Sequence, residues 1–424
     1  MESGDATVTA EFEGRFRARG ARGGDRWGGT RDAVAIFGVV AVALVVVVAG
    51  STAWLSRWSG YPVPPLHFPG SGLLEGWVRY DGGWYRDIVA HGYSYAVPGY
   101  QANVAFFPGY PMVVWVVTQV IHNIELAGIA VTFLAGLVTA VLFHRWAHDR
   151  VDPKTARLAV IALLLYPYAW YLFGAVYADA LFLACAVGAF LLVEADHPIL
   201  AGIVGAMATA TRPIGIALVL GLVVLTIERR GGFRHLRALR PADLGVALSA
   251  TGLVSWSLYQ WNHWGDPLLF VNVEGVPGWD QPAGPRTWFK ITFLQRLHHL
   301  PGWMNDTLHG TTVTSTRPGA EAAYTLSILL QALCVMAAIG LAWVVWRRFG
   351  YGYGTYVAAV IAIAALGTKD FLGTGRYLLA AFPLFAALAV VLIDRSAVKI
   401  ATLGTSAVLL IVLASAYSQG YYVA

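Results

Sequence analysis

Charged side chains are scarce in this chain. Aspartate, glutamate, lysine and arginine together make up 12% of its 424 residues, roughly half of their share in a soluble protein of ordinary composition. The formal net charge is +5, but the positive residues cluster beside long apolar runs, where membrane topology requires them. The charge pattern therefore argues against an ordinary soluble domain and gives no indication of a nucleic-acid partner.

Cysteine is nearly absent as well. The two cysteines, Cys185 and Cys334, are far apart and lie within apolar segments, so their spacing offers neither a disulfide nor a metal site. The chain has no fixed-period repeat, P-loop, dinucleotide-binding fingerprint, HExxH motif or nucleophile elbow. The enzyme classes that these motifs identify are therefore left without support.

Apolar residues dominate the composition instead. Hydrophobic types make up 57% of the chain, and the mean hydropathy is +0.60. The run from Val34 to Ala49 is almost unbroken, whereas a soluble protein would need short or alternating apolar runs. Similar runs recur along the chain, so the sequence predicts an all-α protein that crosses the membrane many times.

The apolar runs divide the chain into a tail and one large domain. Residues 1–31 are expected to form a disordered, arginine-rich cytoplasmic tail, and residues 32–424 a transmembrane domain. The break at Thr211-Arg212-Pro213 within one apolar run predicts a kinked helix or two half-helices. About ten or eleven crossings are expected, at roughly residues 33–55, 125–143, 157–173, 178–194, 198–226, 244–261, 322–345, 353–366, 377–393 and 397–416.

Two polar stretches, residues 56–124 and 263–318, are expected to form large extracytoplasmic loops. Within the first loop, Tyr110 to Ile121 is apolar but short, which predicts a helix lying in the membrane interface. The arginine cluster from Arg229 to Arg240 places the opposite side in the cytoplasm. With this topology, four polar elements meet on the extracytoplasmic face: the loop around Asp81, the turn around Asp179, the second loop, and residues 369–376.

The first loop carries the main catalytic candidate, Asp81, in the segment RYDGGWYRD. Two glycines follow Asp81, so the backbone there can approach a ligand closely. The neighbouring rings of Tyr80, Trp84 and Tyr85 suit the faces of a sugar, and a carboxylate in a partly dry setting suits a general base. The alternative is a solvated aspartate in a turn that the following glycines favour.

Three further polar residues have both functional and structural interpretations. Asp87 and His91 stand at helical spacing and could bind a metal or position an acceptor, or could form the polar face of an interfacial helix from Trp84 to Ala90. Asp179 opens a predicted span. It could act as a second acid or metal ligand there, or could be favoured only by the helix dipole.

Two arginines, Arg212 and Arg376, lie within or beside predicted spans, where an unpaired arginine is costly. Because the planar guanidinium group suits phosphate oxygens, both are candidates for a phosphate site. The structural alternative is an ion pair with Asp179 or Asp370. The tryptophans of the second loop, including Trp279, could stack on sugars or could form an ordinary interfacial belt.

Several segments together resemble a known family. In chain order they are YDGGWYRDIVAHGY, AFFPGYP, YPYAWYLFGAVYADALF, ATATRPIGI, WGDPLLFV and TGRYLLAAFPLF. This series resembles the PIG-V-like branch of the GT-C integral-membrane glycosyltransferases. The branch includes the second mannosyltransferase of GPI-anchor synthesis and bacterial relatives.

The resemblance implies a GT-C-like bundle with interfacial helices in the first extracytoplasmic loop. It also implies an inverting transfer of a sugar, often mannose, from a polyprenyl-phosphate carrier to a lipid, glycan or protein acceptor. By the same resemblance Asp81 is the base, Asp179 the second acid, and Arg212, Arg376 and Tyr377 the donor-phosphate residues.

This chain departs from the family pattern at two positions. Tyr80 stands where the family commonly has Trp, and Ala178-Asp179-Ala180 stands where it has a Ser-Glu-Ser-like sequence. A lipid phosphate carries less charge than the diphosphate of a nucleotide sugar, so the reaction requires no metal, although a divalent ion is compatible with it. The abundance of arginine over lysine favours a bacterial plasma membrane.

Two other classes of protein are compatible with a membrane chain of this kind. A transporter or flippase would spread its charged residues through the membrane depth and would show matched halves with broken helices. A noncatalytic scaffold would leave Asp81 and Arg376 in separate surroundings. A shared site for these two residues therefore distinguishes the transferase from the scaffold.

Overall fold

The computed structural model describes residues 26–56, 73–282, 284–309 and 318–423. All regular elements in these ranges are helical, which confirms the predicted all-α class. The α-helices up to residue 229 are α1 (Arg26–Trp54), α2 (Asp81–His91), α3 (Gly109–Ile121), α4 (Ile124–His148), α5 (Pro153–Leu164), α6 (Asp179–Glu194), α7 (Pro198–Thr209) and α8 (Gly215–Arg229).

The rest of the described chain continues in the same manner. Its α-helices are α9 (Thr251–Trp264), α10 (Leu269–Asn272), α11 (Pro285–Trp288), α12 (Ile291–His309), α13 (Pro318–Phe349), α14 (Tyr351–Gly367), α15 (Thr374–Tyr377), α16 (Pro383–Leu392) and α17 (Ser396–Ser418). Short 3-10 segments link the helices at Glu75–Trp77, Asn103–Ala105, Ala169–Leu172, Phe233–Ala238, Pro241–Ala250, Val273–Gly275 and Leu378–Ala380.

Four of the described helices, α1, α4, α13 and α17, are long and apolar enough to cross a membrane. The segment from α15 to α16 adds a fifth candidate, which is bent by 90°. Helices α3, α7 and α14 are apolar but shorter. The predicted membrane class is therefore confirmed, while the number of ten or eleven crossings stays a prediction.

Three prolines divide apolar segments into short helices. Helix α5 ends at Leu164, shortly before Pro167, so the predicted span 157–173 is wrong in its second half, which runs as turns. Helices α7 and α8 are separated at Pro213, as the sequence predicts, and α16 begins at Pro383 after the 90° bend. Because proline lacks an N–H group and disfavours helix in the preceding residue, the chain turns at each of these points.

Other boundaries also differ from the sequence prediction. Helix α1 begins at Arg26, inside the expected tail, of which residues 1–25 lie outside the described part. The expected span 244–261 begins as the 3-10 segment Pro241–Ala250 before it continues as α9. The second loop is largely helical, because α10, α11 and α12 lie within it.

The first loop packs onto the breaks in the spans. Gly174 lies against the ring of Trp77, and the N–H group of Val176 donates to the Trp77 carbonyl at 3.2 Å. The N–H group of Gly109 donates to the carbonyl of Ala210 at 2.7 Å, so the FFPGYP segment lies against the break between α7 and α8. These contacts place α2 beside both the turns before α6 and the break before α8.

Candidate active site

The segment before α2 holds Asp81 in place. Arg79 is buried, and its guanidinium group donates to the carbonyls of Glu75 at 2.6 Å and Ser418 at 2.9 Å. Tyr80 has a φ of 50°, in the left-handed region, which costs a residue with a side chain on the order of 1–3 kcal/mol. Asp81 follows as the first residue of α2, so an anchored turn presents its carboxylate.

The carboxylate of Asp81 meets Arg376, which is 295 positions later in the chain. Arg376 Nη1 donates to Asp81 Oδ2 at 2.8 Å, and the backbone N–H group of Asp81 donates to the hydroxyl of Tyr177 at 3.2 Å. The Arg376 side chain is 9% exposed and that of Asp81 is 18% exposed. The two residues thus come together, as the catalytic hypothesis requires, but their direct contact leaves no room for a sugar between them.

Close packing fixes the backbone of Arg376. A Cβ atom on Gly375 would overlap the ring of Tyr168, so this position requires glycine. The guanidinium carbon of Arg376 lies 5.0 Å from the centre of the Tyr177 ring and 5.3 Å from that of Tyr377. Its Nε atom is buried and has no hydrogen-bond partner among the described residues. A buried guanidinium N–H of this kind is a ready donor for an anionic ligand.

A second acid and arginine form a deeper pair. Arg212, in the break between α7 and α8, forms an ion pair with Asp179, the first residue of α6, and their side chains are 9% and 3% exposed. The structural alternative for Arg212 is therefore present. The partner of Arg376 is Asp81 instead of Asp370, which accepts a hydrogen bond from a tyrosine hydroxyl of α13 at 2.7 Å.

The ring of Tyr377 lies beside both arginines. The guanidinium carbon of Arg212 is 5.0 Å from its centre, and that of Arg376 is 5.3 Å. The two positively charged guanidinium groups repel each other. Each has one carboxylate partner, Asp179 for Arg212 and Asp81 for Arg376. A phosphate group beside Tyr377 could accept hydrogen bonds from both guanidinium groups, whose planar geometry matches phosphate oxygens.

The three aromatic residues predicted to stack on a sugar have different surroundings. Tyr80 packs with its ring edge-to-face against Tyr422 at 4.7 Å, and Tyr85 is 6% exposed and enclosed by neighbouring rings. Trp84 is half-buried, stacks on Phe106 at 6.0 Å and lines an open pocket of about 500 Å³. Trp84 is thus accessible to a sugar, whereas the rings of Tyr80 and Tyr85 are used in packing within the fold.

Asp87 and His91 lie on the solvent side of α2. His91 Nδ1 and Asp87 Oδ1 are 2.9 Å apart, and Asn103 Nδ2 donates to Asp87 Oδ2 at 2.9 Å. The side chain of Asp87 is 44% exposed and that of His91 is 71% exposed. Within the described ranges no three His, Cys, Asp or Glu residues gather in a group that could hold a metal ion. This arrangement matches the polar face of an interfacial helix, and the metal requirement stays a prediction.

A third carboxylate interacts electrostatically with the site and was not predicted from the sequence. Glu274 lies in the 3-10 turn Val273–Gly275 of the second loop, where the charges of Asp81, Arg376 and Arg212 act on it. Burial, reinforced by the charge of Asp81, raises the pKa of Glu274 to about 7. The residues around Glu274 form no motif, and only the packing of the two loops brings it to the site.

A protein family model matches the part of the chain that contains Asp81, Asp179 and Arg212. The model describes Mannosyltransferase (PIG-V) and covers residues 68–261, a little under half of the chain. Residues 68–261 are thus similar to the PIG-V mannosyltransferase family. The resemblance inferred from the motifs is therefore confirmed over this region, while Arg376 and Glu274 lie beyond it.

A curated relative also matches part of the chain. GPI alpha-1,6-mannosyltransferase 2 from Cricetulus griseus is 30% identical over 181 residues, which cover 40% of this chain and 35% of that protein. The match thus spans about a third of the length of this relative. Because the remaining two thirds are unmatched, the activity of this chain has to be argued from its own site.

Two solved structures have a distantly similar chain path. Archaeal oligosaccharyltransferase AglB from Archaeoglobus fulgidus, in complex with an inhibitory peptide and a dolichol-phosphate, has a TM-score of 0.44 and 12% identity over 92% of this chain and 56% of that one. ArnT from Cupriavidus metallidurans, bound to undecaprenyl phosphate, has a TM-score of 0.44 and 15% identity over 92% of this chain and 75% of that one.

Proposed function

We propose that the protein is an inverting glycosyltransferase that moves a sugar, with mannose as the expected one, from a polyprenyl-phosphate donor to a hydroxyl group of an acceptor. The acceptor is a lipid, a glycan or a protein. The PIG-V match over residues 68–261 supports the reaction class. The observation that carries the proposal is the direct contact of Asp81 with Arg376 beside a second guanidinium group, that of Arg212.

The donor phosphate binds beside Tyr377 in this proposal. Its oxygens accept hydrogen bonds from Arg376, including the buried Nε that has no partner among the described residues. Arg212 adds a second positive charge while Asp179 holds it in position. The two guanidinium groups thereby supply the positive charge that a metal ion provides in many phosphate-transfer sites.

Binding of the phosphate also prepares Asp81. In the closed ion pair, Arg376 occupies Asp81 Oδ2. When a phosphate binds Arg376 in place of Asp81, this oxygen loses its partner. It can then accept a hydrogen bond from the acceptor hydroxyl. The donor therefore binds first, and the acceptor binds productively only when the donor is in place.

Transfer then proceeds in one displacement. Asp81 takes the proton of the acceptor hydroxyl, and the acceptor oxygen forms a bond to the anomeric carbon from the face opposite the phosphate. The bond between that carbon and the phosphate oxygen breaks, and its electron pair leaves with the phosphate. The anomeric configuration is inverted, and Arg376 and Arg212 stabilise the charge that develops on the leaving group.

The proposed site faces the extracytoplasmic side of a bacterial plasma membrane. Asp179 is the first residue of α6 and Glu194 is the last, so the two ends of this helix are separated by roughly 24 Å at 1.5 Å per residue. Arg229 ends α8 at the end opposite to Arg212. Because clustered arginines face the cytoplasm in membrane proteins, the site lies on the other side.

Labelled donor and purified protein test this proposal. The full chain is supplied with radiolabelled polyprenyl-phosphate-mannose and an organic extract of membranes, and the products are separated and identified. Transfer by the wild type that is lost in Asp81→Asn is the expected result. Movement of intact donor across sealed vesicles without covalent transfer would instead indicate a flippase, and equal transfer by Asp81→Asn would overturn the assignment of the base.

A further inference from the structure

The turn that carries Glu274 is fixed to the first loop. Val273 is 1% exposed and packs with Val104 and Leu269 in a small apolar cluster. The carbonyl of Glu274 accepts a hydrogen bond from the N–H group of Gln281 at 2.9 Å. The turn that holds Glu274 is therefore fixed against the first loop through Val273.

The carboxylate of Glu274 is half-buried and has no hydrogen bond or ion pair among the residues that the structure describes. The other two acids near the site are already paired, Asp81 with Arg376 and Asp179 with Arg212. Buried or half-buried carboxylates are usually hydrogen-bonded. An unpaired one that faces a reaction site is therefore available to a substrate hydroxyl.

A tryptophan pair includes a residue of the same loop, five positions after Glu274. Trp279, in the same loop as Glu274, is half-buried and packs against Trp84 with ring centres 5.8 Å apart. Trp84 in turn belongs to the helix that Asp81 begins. Aromatic rings beside carboxylates suit sugars and other polyols, because a ring packs on the C–H face while the acid accepts hydrogen bonds from hydroxyl groups.

We propose that Glu274 and Trp279 form the acceptor side of the site, where Glu274 accepts a hydrogen bond from a hydroxyl of a polyhydroxylated acceptor next to the hydroxyl that is attacked. The arginines hold the donor phosphate on the other side of Asp81. This inference rests on the proposed transferase function and names the acceptor class as a sugar or polyol group. Glu274 touches the substrate, but Asp81 takes the proton.

The charge state of Glu274 gives the subsite a pH dependence. Burial and the charge of Asp81 raise the pKa of Glu274 to about 7, so the charged form, which binds a hydroxyl donor more tightly, decreases as the pH falls through this range. The groups whose charges act on it are Asp81 of α2, Arg376 of α15, Arg212 and Tyr422. The adjacent segments Asn103–Ala105 and Leu269–Asn272 carry no titratable side chain. Acceptor binding should therefore weaken as the pH falls through about 7.

The variant Glu274→Gln tests the subsite with the same labelled donor and membrane extract. Loss of the hydrogen bond to the charged carboxylate of Glu274 should raise the half-saturating amount of extract by about tenfold. The half-saturating donor concentration should be unchanged. In the wild type, the half-saturating amount of extract increases when the pH is lowered from 8 to 6. In Glu274→Gln it does not. Glu274→Asp restores part of the acceptor affinity.

The control is Asp280→Asn, in the same loop. Asp280 is exposed and lies 3.8 Å from Lys369, and its positive φ suits asparagine. Wild-type half-saturation by the extract is expected. Unchanged acceptor half-saturation in Glu274→Gln, or a change in the donor value instead, would overturn the acceptor assignment. Asp81→Asn separates the two proposals. If Asp81→Asn abolishes transfer while Glu274→Gln leaves half-saturation by the acceptor unchanged, only the acceptor subsite is refuted.

Discussion

Two acid and arginine pairs lie beside the same tyrosine ring, and they differ in how open they are. Asp81, in the pair with Arg376, is 18% exposed and begins α2 within the first loop. Asp179, in the pair with Arg212, is 3% exposed and begins a buried helix. A buried pair that loses one partner leaves an uncompensated charge, whereas a more open pair can exchange its partner for a substrate. We therefore expect the first pair to act in catalysis and the second to maintain the site.

The largest effect is expected from Asp81→Asn. The change keeps the shape of the side chain but removes the base, so transfer should fall by at least about 100-fold. The measurement is labelled mannose transfer by purified protein at saturating donor. Thermal unfolding in detergent is the control, and a midpoint much below that of the wild type would show that the loss reflects folding instead of chemistry.

Arg376→Lys should have the next largest effect on activity. Lysine keeps the charge but loses the planar fork and the Nε donor, so kcat/KM for the donor should fall roughly 100-fold. The matched control is Arg348→Lys at the exposed end of α13, for which wild-type kinetics are expected. A loss of less than threefold in Arg376→Lys would argue against phosphate binding there.

Asp179→Asn should affect stability more than chemistry. Removal of this acid leaves Arg212 buried beside Arg376 without its charged partner, which should destabilise the fold by about 3 kcal/mol. Unfolding of this variant and of Asp81→Asn in the same detergent gives the comparison. If Asp81→Asn proved the less stable of the two, the division into a catalytic and a structural pair would be wrong.

The smallest effect is expected from His91→Ala. His91 contacts Asp87 on the exposed side of α2, and exposed pairs of this kind contribute only a few tenths of a kcal/mol. Transfer should stay within about twofold of the wild type with or without a chelator. A large loss that added zinc or manganese restores would instead indicate a metal site at this position.

The sequence was sufficient for the membrane class and for the choice of Asp81, Arg212 and Arg376 as candidate site residues. Long apolar runs require membrane helices, and the polar motifs around Asp81, Arg212 and Arg376 interrupt these runs, where charge is costly without a function or a partner. The break at Pro213 also followed from local chemistry. These features depend on residue type and short spacing, which a single sequence contains.

Other features depend on contacts between distant segments and could not be predicted. The direct contact of Asp81 with Arg376 joins positions 295 residues apart, and Glu274 reaches the site only because Val273 packs against Val104 of the first loop. Burial of Tyr85 follows from the rings of Phe106, Tyr110 and Tyr177, which come from separate segments of the chain. Pro167 and Pro383 were visible in the sequence, but apolar residues on both sides favoured continuous spans.

In the proposed mechanism the donor phosphate replaces Asp81 as the partner of Arg376. A cryo-electron microscopy structure of the purified chain with polyprenyl phosphate would show whether this exchange occurs. We expect phosphate density within hydrogen-bonding distance of Arg376 Nε and beside Tyr377, with the contact between Arg376 Nη1 and Asp81 Oδ2 opened beyond its present 2.8 Å. Phosphate bound elsewhere, with that ion pair still closed, would refute the proposed exchange.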